Sequence, residues 1–217
     1  STLVNLVPNF YSATKGQVLI DGVNADEYDR AALLSAVSVV PQKAVLFEGT
    51  IRSNLLMGNP NASEAELFAA LETAQAAEIV RTKPNGIDEP VLRGGSNFSG
   101  GQKQRLSIAR ALVHGGRILI LDDSASALDF ATDAKLRAAI RKLSPAPTTF
   151  IVSQRAASVM FADFIIVLDE GRAVGQGTHE ELLRNCAVYR EIYASQFPDE
   201  AAKLSIPNNI PEGDAAK

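Results

Sequence analysis

One cysteine, Cys186, in 217 residues excludes an internal disulfide and any multi-thiolate metal site, and points to a reducing compartment. Positive charge is not in excess. With 21 Lys and Arg against 25 Asp and Glu, the formal net charge is −4, which gives no electrostatic argument for nucleic acid as a partner. No apolar run approaches the roughly 18 to 20 residues that span a bilayer. Ser1 to Pro8 also lacks the basic region that opens a signal peptide. These absences predict a soluble, cytosolic chain. What is present supports a sizeable core, with 46% hydrophobic and 21% charged residues, and the length predicts one domain, or one with a smaller lobe.

Five apolar runs stop at a polar residue or a turn: Gln17–Ile20 at Asp21-Gly22, Val37–Val40 at Pro41-Gln42, Arg117–Leu121 at Asp122-Asp123, Thr149–Val152 at Ser153-Gln154, and Phe164–Leu168 at Asp169-Glu170-Gly171. A return strand is expected from Arg172. Runs without alternation fit strands covered on both faces, as in parallel sheets. Helical patterns fill 63–81, 100–114, 129–143 and 178–195, and strands alternating with helices predict an α/β fold. Thr178-His179-Glu180-Glu181 is a capping box. Three prolines, paired asparagines and few large apolar groups from Pro198 onward predict a disordered tail over 198–217.

The chemistry concentrates in Asn97-Phe98-Ser99-Gly100-Gly101-Gln102-Lys103-Gln104-Arg105-Leu106. A serine before two glycines at a helix start presents a hydroxyl and unpaired backbone amides, which with the helix dipole suit an anion such as phosphate. Alone, that stretch reads as no more than a glycine-rich helix N-terminus. Seventeen residues after Gln104, Leu121-Asp122-Asp123 closes the most hydrophobic strand. A carboxylate at the C-terminal end of a parallel strand sits where α/β proteins bind ligands, and it suits Mg²⁺ directly or through water. Ser126-Ala127-Leu128-Asp129 comes next, and a further strand leads to Gln154.

In this order the motifs resemble the nucleotide-binding domain of an ATP-binding cassette (ABC) exporter. Phe98 to Gln102 is similar to the signature motif, Ile118 to Asp122 to Walker B, Ser126 to Asp129 to the D-loop, and Gln42 to the Q-loop glutamine. Asn9-Phe10-Tyr11, Gly16 to Gly22, Leu46 to Asn54 and Gly177 to Leu182 repeat exporter-type phrasing, so the likeness covers residues 1–197. The resemblance implies a P-loop NTPase core with a mostly parallel sheet and an inserted helical subdomain over residues 55–115. It implies ATP and Mg²⁺ as cofactors. Ser1 would be the Mg²⁺-ligating hydroxyl, Thr2 would lie near the α-phosphate, Asp122 would hold the metal through water, and Gln42 would sense metal and γ-phosphate. Ser99, Gly100, Gly101 and Gln102 would complete the site of a second domain, with Asp129 linking the two sites.

The sequence also departs from the family pattern. Ser1-Thr2-Leu3 matches the residues just after the lysine of the phosphate loop, so the resemblance implies a chain that starts inside that loop, without the glycine cradle and the lysine. Asp123 stands where the family has a glutamate that polarises the attacking water, and Gln154 where it has the switch histidine. Glutamine hydrogen-bonds but cannot carry a proton or positive charge. The catalytic residues the resemblance implies are Asp123, Gln154 and Gln42, and a weakened pair, Asp123 and Gln154, beside an intact signature resembles the degenerate partner of a heterodimeric exporter. The expected partners are a transmembrane domain outside this chain and the nucleotide-binding domain of a different half-transporter, at the cytoplasmic face of the cell membrane. An ordinary homodimeric exporter and a non-hydrolysing ATP-binding module are the alternatives. A chromosome-maintenance ATPase is not, because no heptad run exists. Arg93 falls in a loop that is usually acidic in exporters. His114 reads as a helix C-terminal cap, His179 as a first-turn residue without metal partners, Lys103 and Arg105 as solvated or interdomain, and Tyr189 with Tyr193 as an i,i+4 packing pair.

Overall fold

The first apolar run folds back on itself. β1 (Leu19–Ile20) and β2 (Val23–Asn24) pair antiparallel across Asp21-Gly22, both at positive φ, the conformation for which an Asp-Gly turn is suited. Asp29 then caps α1 (Arg30–Ala36) by accepting from the Ala32 N–H, and the chain enters β3 (Val37–Val40). A second short strand pair, β4 (Gly49–Thr50) with β5 (Pro90–Val91), brackets the helices α2 (Ile51–Leu56), α3 (Glu64–Thr73) and α4 (Ala77–Arg81). After α5 (Gly100–His114) come β6 (Ile118–Asp122), α6 (Phe130–Ile140) and β7 (Thr148–Val152). The computed structural model describes residues 1–203, and the chain divides into two units, Ser1–Val152 and Ser153–Lys217.

In the first unit β3, β6 and β7 form a parallel sheet in that order, with Val40 opposite Leu121 and Leu121 opposite Ile151. β6 lies in the middle, and Leu119, Ile120 and Leu121 are buried, as a central strand covered on both faces requires. One apolar cluster joins Val40, Leu119 and Leu121 of the sheet to Leu55, Leu71, Ile108 and other side chains of α2–α5. The single helix expected over 63–81 is two. Gln75 adopts positive φ, Ala74 and Ala76 on either side of it are fully buried, and Arg105 donates to the Gln75 carbonyl at 2.7 Å. Arg105 therefore braces a helix break instead of standing in solvent. His114 likewise does not cap its own helix. Its Nδ1 lies 3.2 Å from the Gly58 carbonyl and its Nε2 3.0 Å from that of Leu34, while Gly115 ends α5 in the left-handed conformation.

The second unit holds α7 (Ala156–Val159), β8 (Ile165–Asp169), β9 (Arg172–Gly177), α8 (His179–Asn185), α9 (Ala187–Gln196) and α10 (Pro198–Lys203). β8 and β9 form an antiparallel hairpin. The runs at 17–20 and 164–168 thus correct the expectation of strands covered on both faces, and so does the run at 149–152, since β7 ends the three-stranded order and has no buried residue. Leu19 is 52% exposed, and Phe164 just before β8 and Ile166 and Leu168 on one side of it are exposed as well. Ile165, Val167, Leu182, Cys186 and Tyr189 form the core here. Cys186 leaves helical geometry and splits the expected helix 178–195 into α8 and α9. The capping box at the start of α8 is present, Glu181 accepting from the Thr178 N–H at 2.8 Å and Thr178 Oγ1 from the Glu181 N–H at 3.3 Å. His179 hydrogen-bonds with the Tyr189 hydroxyl at 2.8 Å, and Tyr189 and Tyr193 are both buried. The tail expected to be disordered starts as helix instead, because Ala201 is buried and Tyr193 donates to Glu200 at 2.6 Å. Residues 204–217 of that expectation lie outside the described residues.

Two substitutions test the packing of the first unit. Arg52 forks onto Asp88 at 2.8 and 3.0 Å and reaches Glu64 at 3.1 Å, and this guanidinium holds the Asp88 carboxyl below its usual range. A depressed carboxylate stabilises the fold above its unfolded pKa, and that contribution is lost as pH falls through the folded value. Arg52→Ala should therefore lower the denaturation midpoint at neutral pH, with the difference from the parent closing in acid. Leu71→Ala, which opens a cavity in the shared cluster, should cost about 2–5 kcal/mol by denaturant titration.

Candidate functional site

At the C-terminal edge of the parallel sheet the chain brings together residues far apart in sequence. Asp122, the last residue of β6, is buried, and its Oδ1 accepts from Ser1 Oγ at 2.8 Å. Asp123 continues the pairing with β7, its N–H donating to the Val152 carbonyl at 2.9 Å. It then turns into a positive φ of 46°, uncommon for a residue with a side chain. Ser126 holds that turn, its N–H and Oγ both donating to the Asp123 carbonyl at 3.2 and 2.7 Å. Gln42 lies two residues past β3, and its Nε2 donates to Asp123 Oδ2 at 3.1 Å. Thr2 is exposed beside Ser1.

Two pairs from three parts of the chain therefore stand at this edge, the Ser1 hydroxyl with the Asp122 carboxylate and the Gln42 carboxamide with the Asp123 carboxylate. All are hard oxygen donors, with no thiolate or imidazole among them, and this set fits Mg²⁺ better than a softer metal. Among the described residues no three His, Cys, Asp or Glu gather as a metal cluster.

Ser99 starts α5 with a reciprocal box, accepting from the Gln102 N–H at 3.3 Å while Gln102 Oε1 accepts from the Ser99 N–H at 3.0 Å. The first-turn amides of Gly100 and Gly101 have no intrahelical partner. A Cβ on Gly101 would stand 3.1 Å from the Ala127 carbonyl, so glycine lets this turn approach the loop before α6. Asp129 ends that loop by capping α6, accepting from the Thr132 N–H at 2.9 Å and its hydroxyl at 2.8 Å. These bonds hold its carboxyl below the usual range, and it stays ionised. Among the described residues no hydrogen bond or ion pair links Ser99–Gln102 to Ser1, Gln42, Asp122 or Asp123. Gln154 belongs to the second unit, where its carbonyl accepts from Gln196 Nε2 at 2.8 Å and its side chain is exposed.

Sequence reading assigned no role to two residues that shape the surroundings. Asn54 is buried, and its side chain bonds Phe47 N–H, Phe47 C=O and Thr50 C=O at 2.8 to 2.9 Å, which fixes the end of the loop that begins at Gln42. A polar residue one turn past a Thr-x-x-Ser helix start was the available signal. Arg110 donates to the Val45 carbonyl at 3.1 Å, while its second terminal nitrogen is buried with no hydrogen-bond partner among the described residues. It borders a groove of about 280 Å³ whose lining includes Pro8, Phe10, Phe47, Met57 and His114. Phe10, Phe47 and Met57 are each about half exposed there.

Residues 1–126 match the ABC transporter family. The chain is 46% identical over 199 residues to an uncharacterized ABC transporter ATP-binding protein of Mycobacterium tuberculosis, covering 90% of this chain and 34% of that protein. It is 40% identical over 196 residues to a putative multidrug export ATP-binding/permease protein of Staphylococcus aureus, with the same two coverages. A solved structure of a bacterial Atm1-family ABC exporter with ATP bound superposes with a TM-score of 0.86 at 38% identity, again over 90% of this chain and 34% of that one. The chain thus spans about a third of the length of the relatives it matches. From the motif order, the parallel sheet ending in Asp122 and these likenesses, it belongs to the ABC transporter family and has the fold of that family's exporter ATPase domains.

Proposed function

We propose that this chain is the ATP-binding and ATP-hydrolysing domain of an exporter, with its own site impaired and its signature serving a second domain. The observation that carries this reading is the meeting of Ser1, Gln42, Asp122 and Asp123 at one edge of the sheet. The Ser1 hydroxyl donates to Asp122, which leaves the hydroxyl's lone pairs free for a cation beside a buried carboxylate. Bound there, Mg²⁺ would neutralise phosphate charge. Asp123 is the group that orients the attacking water. It is one methylene shorter than glutamate, and a misplacement of about an ångström can cost roughly 10²-fold in rate. Gln154 hydrogen-bonds but cannot supply charge.

On the signature side, Ser99 spends a lone pair on its own helix and keeps its O–H to donate. With the amides of Gly100 and Gly101 and the start of the α5 dipole, it offers a site for the phosphates of a partner domain's ATP. Asp129, ionised and rigid as a helix cap, links the two sites. That partner is the domain of a different half-transporter, and ATP-driven pairing of the two is the step that moves the transmembrane part. The transmembrane part seats in the groove beside Arg110, since half-exposed Phe10, Phe47 and Met57 form an apolar patch of the kind that marks interfaces. This domain sits at the cytoplasmic face of the cell membrane, and the membrane-spanning part belongs to the remaining length of the exporter; among the described residues no helix is long and apolar enough to cross a membrane.

The deciding experiment is ATP turnover by the full-length protein, alone and with its partner half-transporter, beside the double substitution Asp123→Glu with Gln154→His. The protein alone should be nearly silent, the mixed complex active, and the double variant faster by about 10²-fold if the methylene is the main defect. A normal rate from the protein alone would reject the impaired site and favour a homodimer. Phe47→Asp and Met57→Asp should preserve nucleotide binding by the full-length protein while removing stimulation of its ATPase by transported substrate. Unchanged stimulation would reject the groove as the membrane-side contact.

A further inference from the structure

Among the described residues, Arg110 is the one permanently charged side chain that lines the groove beside Phe10, Phe47 and Met57, and neither Asp nor Glu lines it. Its guanidinium meets only neutral groups. Nη2 donates to the Val45 carbonyl at 3.1 Å and to Ser107 Oγ at 3.4 Å, and the central carbon stands 5.6 Å from the centre of the Phe47 ring. Nη1 is buried with no hydrogen-bond partner, and no ion pair includes Arg110, among the described residues. Burial pushes this guanidinium below its ordinary value, yet arginine keeps its charge at any ordinary pH. His114, one turn further along α5, brings no counter-ion, since its ring nitrogens lie against the Gly58 and Leu34 carbonyls. A full positive charge is therefore partly withdrawn from water with no full negative charge beside it.

We infer that the groove takes an acidic side chain, Asp or Glu, projecting from the membrane-side part of the exporter, with Arg110 as its counter-ion. The inference rests on the reading that this groove seats the transmembrane part, and it adds the chemistry of what is seated. At about 280 Å³ the groove falls just short of the roughly 300 to 1,000 Å³ of small-molecule pockets, a size suited to a side chain reaching in from a neighbouring surface. The planar fork of arginine matches a carboxylate with two parallel bonds. Turning that fork towards the groove exchanges the bond to Val45 for two charge-assisted ones and gives Nη1 the partner it lacks. The half-exposed Phe10, Phe47 and Met57 would shield the pair from water, which strengthens it. An apolar or basic segment in the same place would leave the guanidinium buried and unpaired, so the pair also selects the segment that docks.

Charge swaps in the assembled full-length exporter test the pair, read as its thermal midpoint. Arg110→Glu should lower the midpoint, because the acidic partner then faces a like charge. In that background each Asp and Glu of the cytoplasmic segments of the membrane part would be changed to Arg in turn. One such change should restore the midpoint although alone it lowers it, and cysteines placed at that position and at Arg110 should join on oxidation. Arg110→Met keeps an apolar stem without the charge and should also lower the midpoint, with Arg110→Lys between Met and the parent. These two variants still decide if Arg110→Glu prevents assembly. An unchanged midpoint for Arg110→Met, or the lack of any restoring swap, would overturn the acidic partner. Cysteines at Phe47 and Met57 report on the groove itself. Cross-links from them to the membrane part without a restoring swap remove the carboxylate and leave the groove as the seat. No cross-link from either position removes both.

Discussion

The parallel pairing of β3, β6 and β7 is the constraint on which the candidate site depends. Parallel strands run in one direction, so all three deliver their C-terminal ends to the same edge, and here those ends carry Gln42, Asp122 with Asp123, and Val152. The register also fixes which residues stand level with one another. Asp122 meets Ser1, while its neighbour Asp123 turns into positive φ and engages Gln42. A slip of one residue would reverse every side chain of β6 between the two faces. The fully buried Ile120 and the shared cluster that takes Leu119 and Leu121 forbid it.

Around that sheet the first unit uses polar side chains to end and start its elements at defined places. Thr50 with Ser53, Ser63 with Glu66, and Ser99 with Gln102 each form a reciprocal box at a helix start. Asp29 and Asp129 cap α1 and α6 singly. The caps matter beyond stability, because two of them stand where the proposed chemistry lies. Ser99 presents its hydroxyl from a cap, and Asp129 carries its charge in one. A cap is a rigid mount, since the side chain is tied to backbone amides that the helix itself holds in place.

Much of this was legible in the sequence for local reasons. β3 spans 37–40 as expected, and the strands expected at 117–121 and 149–152 agree with β6 and β7 to within a residue. The unbroken apolar character of β6 is what a strand buried on both faces requires, whereas β7, at the end of the sheet, leaves Phe150 39% exposed. Helix α5 starts at Gly100 and ends at His114 as expected, because Ser99 and Gly115 punctuate it chemically. The runs at 17–20 and 164–168 carry the same pattern and became hairpins, because apolarity alone does not say which neighbour a strand finds. The breaks at Gln75 and Cys186 were also not readable. Each sits in a sequence of adequate helix formers, and each is set by burial of the residues at or beside the bend.

Residue types at fixed spacings were enough to reveal the family, the order of the motifs and the two departures at Asp123 and Gln154. Side-chain length and charge are properties of a residue wherever it lies, so those readings needed no coordinates. Other facts required the folded chain: that Ser1 meets Asp122 across 121 positions, that Arg105 braces the break at Gln75, and that Asp123 engages Gln42. Those meetings arise from strand register and from which helix faces the shared core can bury. Both are set by contacts between segments that no local stretch of sequence contains.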